Sequence, residues 1–150
     1  MSLRAIPNFN VYRPADAKET ASCIKLALKD KNSPSALLLT RQGVPVLEKD
    51  QKQIDAYVSK GAYPVFECDG LPEIVILATG SEVSLAIKVA KKLNNKRVRV
   101  VSMPCWELYE QQSDDYKAEL IPFRGNLKVS IEAGITHGWE KYIGNNGISI

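Results

Sequence analysis

Glu73-Ile74-Val75-Ile76-Leu77-Ala78-Thr79-Gly80-Ser81-Glu82-Val83 decides the fold. An apolar run of strand length, rich in β-branched residues, meets a Gly-Ser turn. Val83, Ala86, Ile87, Ala90 and Leu93 then recur at the spacing of one helix face. Ser81 stands where an N-cap belongs, and Asn94-Asn95 ends the pattern. Arg97-Val98-Arg99-Val100-Val101-Ser102 is the next strand, broken by Pro104. Strand, helix and strand in this order predict a parallel pair joined by a right-handed crossover.

Toward the C-terminus, Trp106 to Tyr109 and Asp114 to Leu120 read as short helices, Leu127 to Ile131 as a strand followed by Gly134, Trp139 to Ile143 as helical, and Gly147 to Ile150 as the start of a strand. Toward the N-terminus, Phe9 to Tyr12 is a short strand. Asp16 can cap a helix, with Glu19 placed to complete a capping box. Ala17, Ala21, Ile24 and Leu28 form the apolar face of that helix, with Lys18, Glu19, Lys25 and Lys29 on its wet side. Asn32-Ser33-Pro34 stops it. Ser35 to Thr40 is a continuous apolar run, as in a strand covered on both faces. The polar stretch from Arg41 to Lys60 reads as a linker with one helical turn near Gln53 to Val58. The expected class is α/β: a mostly parallel sheet with flanking helices, preceded by a partial α/β unit.

The chain has 150 residues, 45% hydrophobic and 25% charged. That composition suits a soluble globular domain and excludes collagen, a coiled coil, a disordered tail and a small disulfide scaffold. No apolar stretch approaches the roughly 18 residues that cross a bilayer. A net charge of +3 is weak support for a nucleic-acid partner. Lys91, Lys92, Lys96, Arg97 and Arg99 read as a solvated helix end. Cys23, Cys68 and Cys105 cannot all pair with one another, and reduced thiols in a cytoplasmic protein are the simpler reading. Two strands and one helix are too little for an independent N-terminal core, and Ile150 closes the chain inside a strand-like run. The expectation is a piece of a longer chain, with exposed sheet edges that favour self-association.

Few residues offer chemistry. His137 is the single histidine, without metal-ligand spacing, and reads as a surface or capping residue. The cysteines lack basic neighbours in sequence and read as packing residues. Amides at Gly80-Ser81 could hold a phosphate at the helix start, but Glu82 puts a negative charge there, which favours a self-capped turn. Arg41 directly follows the apolar run. Ligands in open α/β sheets sit beyond the carboxyl ends of strands, and an arginine there can grip a phosphate through two hydrogen bonds. A structural salt bridge suits that position equally, and Gln42 could support either role.

In order along the chain, several motifs resemble transketolases. Arg4-Ala5-Ile6-Pro7-Asn8, Val11-Tyr12-Arg13-Pro14-Ala15-Asp16 with Glu19, and Thr40-Arg41-Gln42 with Pro45 look like the end of that family's pyrimidine-binding domain. Thr40 stands where the family more usually has serine. Gly61-Ala62-Tyr63, Ala78-Thr79-Gly80-Ser81-Glu82-Val83, Val100-Val101-Ser102-Met103-Pro104 with Glu107-Leu108, and Ile131-Glu132-Ala133-Gly134 with Gly138-Trp139 resemble its C-terminal domain. The resemblance implies residues 1–45 as the end of the first domain, 46–60 as a linker and 61–150 as a C-terminal domain truncated at its end.

It further implies a parent enzyme that moves a two-carbon ketol unit between sugar phosphates, with thiamine diphosphate and a divalent metal (Mg or Ca). The parent is expected to be a cytoplasmic homodimer in the pentose phosphate pathway, without nucleic-acid or membrane partners. Nothing here matches the family's cofactor-activating glutamate or its diphosphate-binding domain, so no catalytic, cofactor or metal residue is expected, no cofactor should bind these residues, and they should be inactive alone. One position carries over: Arg41 matches the family arginine that binds the sugar phosphate. Two other readings remain. One is the tail domain of another thiamine diphosphate enzyme, such as deoxyxylulose phosphate synthase or a 2-oxo acid dehydrogenase β subunit, although Thr40-Arg41-Gln42 and Ser102-Met103-Pro104 favour transketolase. The other is a small phosphate- or nucleotide-binding module at Gly80-Ser81.

Overall fold

The computed structural model describes residues 2–150. After a 3-10 turn at Ser2–Ala5, the elements run β1 (Asn10–Tyr12), α1 (Ala17–Lys29), β2 (Ser35–Leu37), α2 (Gln51–Val58), β3 (Tyr63–Phe66), β4 (Ile74–Ala78), α3 (Glu82–Lys92), β5 (Val98–Ser102), α4 (Trp106–Glu110), α5 (Asp114–Leu120), β6 (Leu127–Ile131), α6 (Glu140–Ile143) and β7 (Ile148–Ser149). A five-stranded sheet has the order β3-β5-β4-β6-β7, parallel except for β3. A separate parallel pair joins β1 and β2, with Val11 opposite Ala36.

Alternation along the central strands sends side chains to two faces. Val75, Leu77, Val101 and Met103 pack with Trp106, Tyr109, Leu120, Trp139 and Ile143 from the α4, α5 and α6 side. Ile76, Ala78, Val98 and Val100 pack with Val83, Ala86 and Ala90 of α3. The chain leaves β4 for β5 on one side and returns past β4 to β6 on the other. The mixed α/β class and the mostly parallel sheet agree with the sequence.

Four local expectations differ. The buried face of α1 is Glu19, Ser22 and Cys23; Ala17 is exposed, and Ile24 and Leu28 are 41% and 79% exposed. The polar-looking side of this helix turns inward because its groups find partners in the sheet: the Glu19 carboxylate accepts from Tyr63 and Ser102. Secondly, β2 ends at Leu37 and is half-buried, with Leu39 57% exposed. It pairs along one edge only and lacks a second covering layer among the described residues.

Thirdly, the stretch read as a linker contains α2, whose capping box joins Asp50 and Gln53. Ile54 and Val58, one turn apart, are fully buried with Tyr12, Cys23, Tyr63 and Cys105, so a core runs from the N-terminal unit through α2 into the larger sheet. Fourthly, β3 was not anticipated; Pro64 marks it as an edge strand, and it sits at the edge.

Candidate functional site

The carboxyl ends of the parallel strands converge on Arg13, the residue after β1. Its N–H donates to Pro104 O at 2.8 Å, past the end of β5, and its carbonyl accepts from Gly80 N at 3.0 Å and from Thr79 Oγ1 at 3.1 Å, past the end of β4. Its guanidinium bonds Glu132, past the end of β6, at 2.6 Å and Glu82 at 3.3 Å. In a doubly wound sheet this crevice is where a ligand would sit. Here the chain's own arginine fills it.

Glu132 is the acceptor that closes this network. Arg4 donates to it at 3.0 Å and the Trp139 indole at 2.8 Å, besides Arg13. Burial opposes its ionisation, but hydrogen bonds and charge from Arg4, together with Trp139 and Arg13, outweigh burial and hold its carboxyl below the ordinary range. Arg4 also lies over the Trp106 ring, 3.8 Å from its centroid.

The Gly80-Ser81 turn is occupied internally. Gly80 has φ +64°, and a Cβ there would sit 3.2 Å from Arg13 Nε. Ser81 occupies the N-cap position of α3 without a capping hydrogen bond; its hydroxyl donates to Glu82 Oε1 at 2.7 Å. The Gly80 amide is therefore served by the Arg13 carbonyl and the dipole by Glu82, so the turn is occupied internally but without the Ser81 cap that the sequence suggested.

Arg41 lies beyond the end of β2, where the sequence placed it. Its neighbours Thr40 and Gln42 line a cleft of about 330 Å³ together with Arg13, Ser81 and Glu82. Thr40 Oγ1 accepts the Gln42 N–H at 3.1 Å, a hydroxyl-closed turn with Arg41 at its middle, and a serine hydroxyl could close it equally well. Arg41 is exposed and makes no hydrogen bond or ion pair among the described residues. The salt-bridge alternative for this arginine therefore has no partner among the described residues.

The remaining candidates are not brought to this place. His137 is exposed, beside Trp106 and Lys141 at a different cleft. Cys23 and Cys105 are buried thiols, pushed up by burial, and Cys68 is half-buried. Lys96 pairs with Glu73 and Arg99 with Glu67, while the Arg97 guanidinium donates to the Leu71 carbonyl and its backbone N–H to Glu73, so part of the basic cluster is tied down locally. The described residues hold no group of three His, Cys, Asp or Glu placed for a metal ion. With Arg4 and Arg13 committed to carboxylates, these residues do not fit a metal-bound diphosphate. No described helix is long and apolar enough to cross a membrane.

Sequence reasoning missed Glu19, Asp16 and Lys18 as tertiary ligands. Glu19 is fully buried and accepts from Ala15 N at 2.6 Å, Tyr63 Oη at 2.7 Å and Ser102 Oγ at 2.6 Å. Its capping-box spacing was visible; its reach into β3 and β5 was not. Asp16 accepts the Glu19 N–H on one oxygen and the Leu47 N–H on the other.

Comparison with known proteins gives one consistent result. The family described as "Transketolase-like TK C-terminal domain" matches residues 61–150, and "Transketolase, pyrimidine binding domain" matches residues 1–46. A transketolase of Staphylococcus aureus is 48% identical over 147 residues, which is 97% of this chain and 22% of that protein. A transketolase structure from Leishmania mexicana superposes with a TM-score of 0.89 at 40% identity, covering 99% of this chain and 21% of that one. A Pichia stipitis transketolase in complex with sedoheptulose-7-phosphate superposes at 0.86 with 36% identity, over 99% and 21% of the two chains. The chain thus spans about a fifth of the length of the relatives it matches.

Proposed function

The chain belongs to the transketolase family, and from that premise we propose that it serves a thiamine diphosphate- and divalent metal-dependent ketol transfer between sugar phosphates by holding the substrate phosphate on Arg41. The observation that carries this is Arg41 itself: exposed, past a strand end, in a hydroxyl-closed turn, and without a partner among the described residues. A guanidinium in that state retains its full donor fork for a phosphate. The other arginines nearby are committed to Glu132 and Glu82. The sugar phosphate bound by the Pichia stipitis relative supports the substrate class.

In this reading Arg41 binds and orients, and the bond-making chemistry belongs to the cofactor. Thiamine diphosphate, when bound, would supply the chemistry for moving the two-carbon unit. Its diphosphate and metal would be held by residues outside this chain, because the donors here do not fit them. Residues 1–45 would belong to the pyrimidine-binding domain and 61–150 to the C-terminal domain, joined through 46–60. A cytoplasmic homodimer acting in the pentose phosphate pathway is the setting that goes with this role, with no nucleic-acid or membrane partner. These 150 residues alone would not turn over substrate.

The test is Arg41→Ala in a full-length transketolase carrying this segment. Losing a charge-assisted pair worth about 1.5–3 kcal/mol raises KM for a phosphorylated acceptor by roughly 10- to 150-fold. KM for an unphosphorylated acceptor should stay unchanged. Equal KM values for the phosphorylated acceptor in both enzymes would refute the role.

A further inference from the structure

The segment that carries Arg41 is an arch tied down only at its two feet. At the near foot, Leu38 N donates to Tyr12 O at 2.8 Å. At the far foot, the Leu47 N–H donates to Asp16 Oδ2 at 2.7 Å. Lys18 Nζ there donates to the carbonyls of Leu47 at 2.8 Å and Lys49 at 2.6 Å. Between the feet, residues 39–46 make a single hydrogen bond among themselves, Gln42 N to Thr40 Oγ1, and most of them are exposed. Secondary structure and core packing therefore do not fix Arg41 directly.

The far foot combines packing of the Leu47 side chain against two core clusters with a polar clamp on its backbone. Asp16 is buried, and its two oxygens are divided between the cap of α1 and Leu47. Lys18 spends its ammonium on two carbonyls and forms no ion pair among the described residues. Helix α1 is held to the larger sheet through Glu19. The far foot is thus referenced to the rigid body of the fold, its clamp residues lying three positions and one position before the Glu19 lock. A binding group is useful only when its geometry is set before the ligand arrives.

We propose that Asp16 and Lys18 are positioning residues for Arg41: by clamping Leu47 and Lys49 they fix the arch on which the guanidinium is presented. This rests on the phosphate role of Arg41 and extends it to side chains that touch no substrate. It separates two functions of Asp16, the helix cap and the arch clamp. An asparagine keeps one carbonyl oxygen and caps helices about as well as aspartate. With that oxygen on the Glu19 N–H, its amide faces the Leu47 N–H and the clamp is lost.

The experiment uses Asp16→Asn, Lys18→Met, which keeps the aliphatic stem, and Lys18→Arg, which restores a donor. Amide exchange in the 150-residue chain reads the arch. Leu47 should exchange at least about tenfold faster in Asp16→Asn and Lys18→Met, with the amides of α3 unchanged. In the full-length enzyme, KM for a phosphorylated acceptor should rise about 5- to 30-fold in both. kcat and KM for an unphosphorylated acceptor should hold, and Lys18→Arg should recover at least part of the loss. Unchanged exchange at Leu47 overturns the proposal. So does unchanged KM in the two variants when Arg41→Ala raises it. If Arg41→Ala leaves KM unchanged, the phosphate reading itself falls, and a faster Leu47 exchange then identifies a clamp without the positioning role, which is overturned with it.

Discussion

Glu19 on α1 and Ser102 at the end of β5, 83 positions apart, are joined by a buried hydrogen bond of 2.6 Å. Tyr63 of β3 donates to the same carboxylate oxygen at 2.7 Å. One side chain therefore fastens the N-terminal unit to the two strands at the sheet's edge. Removing it strands the Ala15 amide and two hydroxyls in the core, each costing about 1–3 kcal/mol. Glu19→Ala is expected to lose at least about 3 kcal/mol in chemical denaturation. Glu19→Gln, which can accept from Ala15 while the hydroxyls rotate to receive its amide, should lose less than half as much.

Acid and base act oppositely on two buried carboxyls. Burial, only partly offset by the Ser102, Tyr63 and Ala15 hydrogen bonds, pushes the Glu19 carboxyl up. The folded state then keeps a proton that the unfolded chain has released. This contribution to stability is full below the ordinary carboxylate range, near about pH 4.3, and is lost as pH rises through the folded value. Glu132 is held low, so its contribution is present above that range and is lost as pH falls through its folded value. Denaturation midpoints measured across pH should show Glu19→Gln flattening the alkaline-side decline and Glu132→Gln flattening the acid-side one.

The turn into β3 depends on one glycine. Gly61 has φ +80°, and a Cβ there would overlap Tyr109 N and Cys105 O. Its own carbonyl accepts from Cys105 N at 3.1 Å, so the backbones are already in contact. Gly61→Ala should cost at least about 3 kcal/mol, combining backbone strain with displacement of α4. A thermal midpoint within a degree or two of the parent would contradict this close approach.

Thiol labelling should be ordered by burial. Cys68 is partly accessible, whereas Cys23 and Cys105 are buried and held protonated. A thiol reagent should modify Cys68 first, and the other two only as fast as the chain opens.

The β4-turn-α3-β5 unit was legible because its alternation and its helical face agree with its burial. Helix α1 was misread because a carboxylate, a hydroxyl and a thiol form its inner face, and their partners lie far away in sequence. Helix α2 was half-visible: Ile54 and Val58 are the fully buried anchors of a largely polar segment, and with Tyr57 packed beside them they enter the shared core. For the proposed site, the position of Arg41 after a strand was readable. Arg13 and Glu132 were not, because a charge beside a strand looks solvated until the strand ends are seen to meet. The Asp16 and Lys18 clamps leave no spacing signal at all.

The most direct test is the structure of a full-length transketolase carrying this segment, determined with a sugar phosphate bound. The account predicts phosphate oxygens about 2.7–2.9 Å from the Arg41 guanidinium, with the Asp16–Leu47 and Lys18–Leu47 contacts retained. A phosphate held wholly by other residues, with Arg41 still turned to solvent, would contradict it.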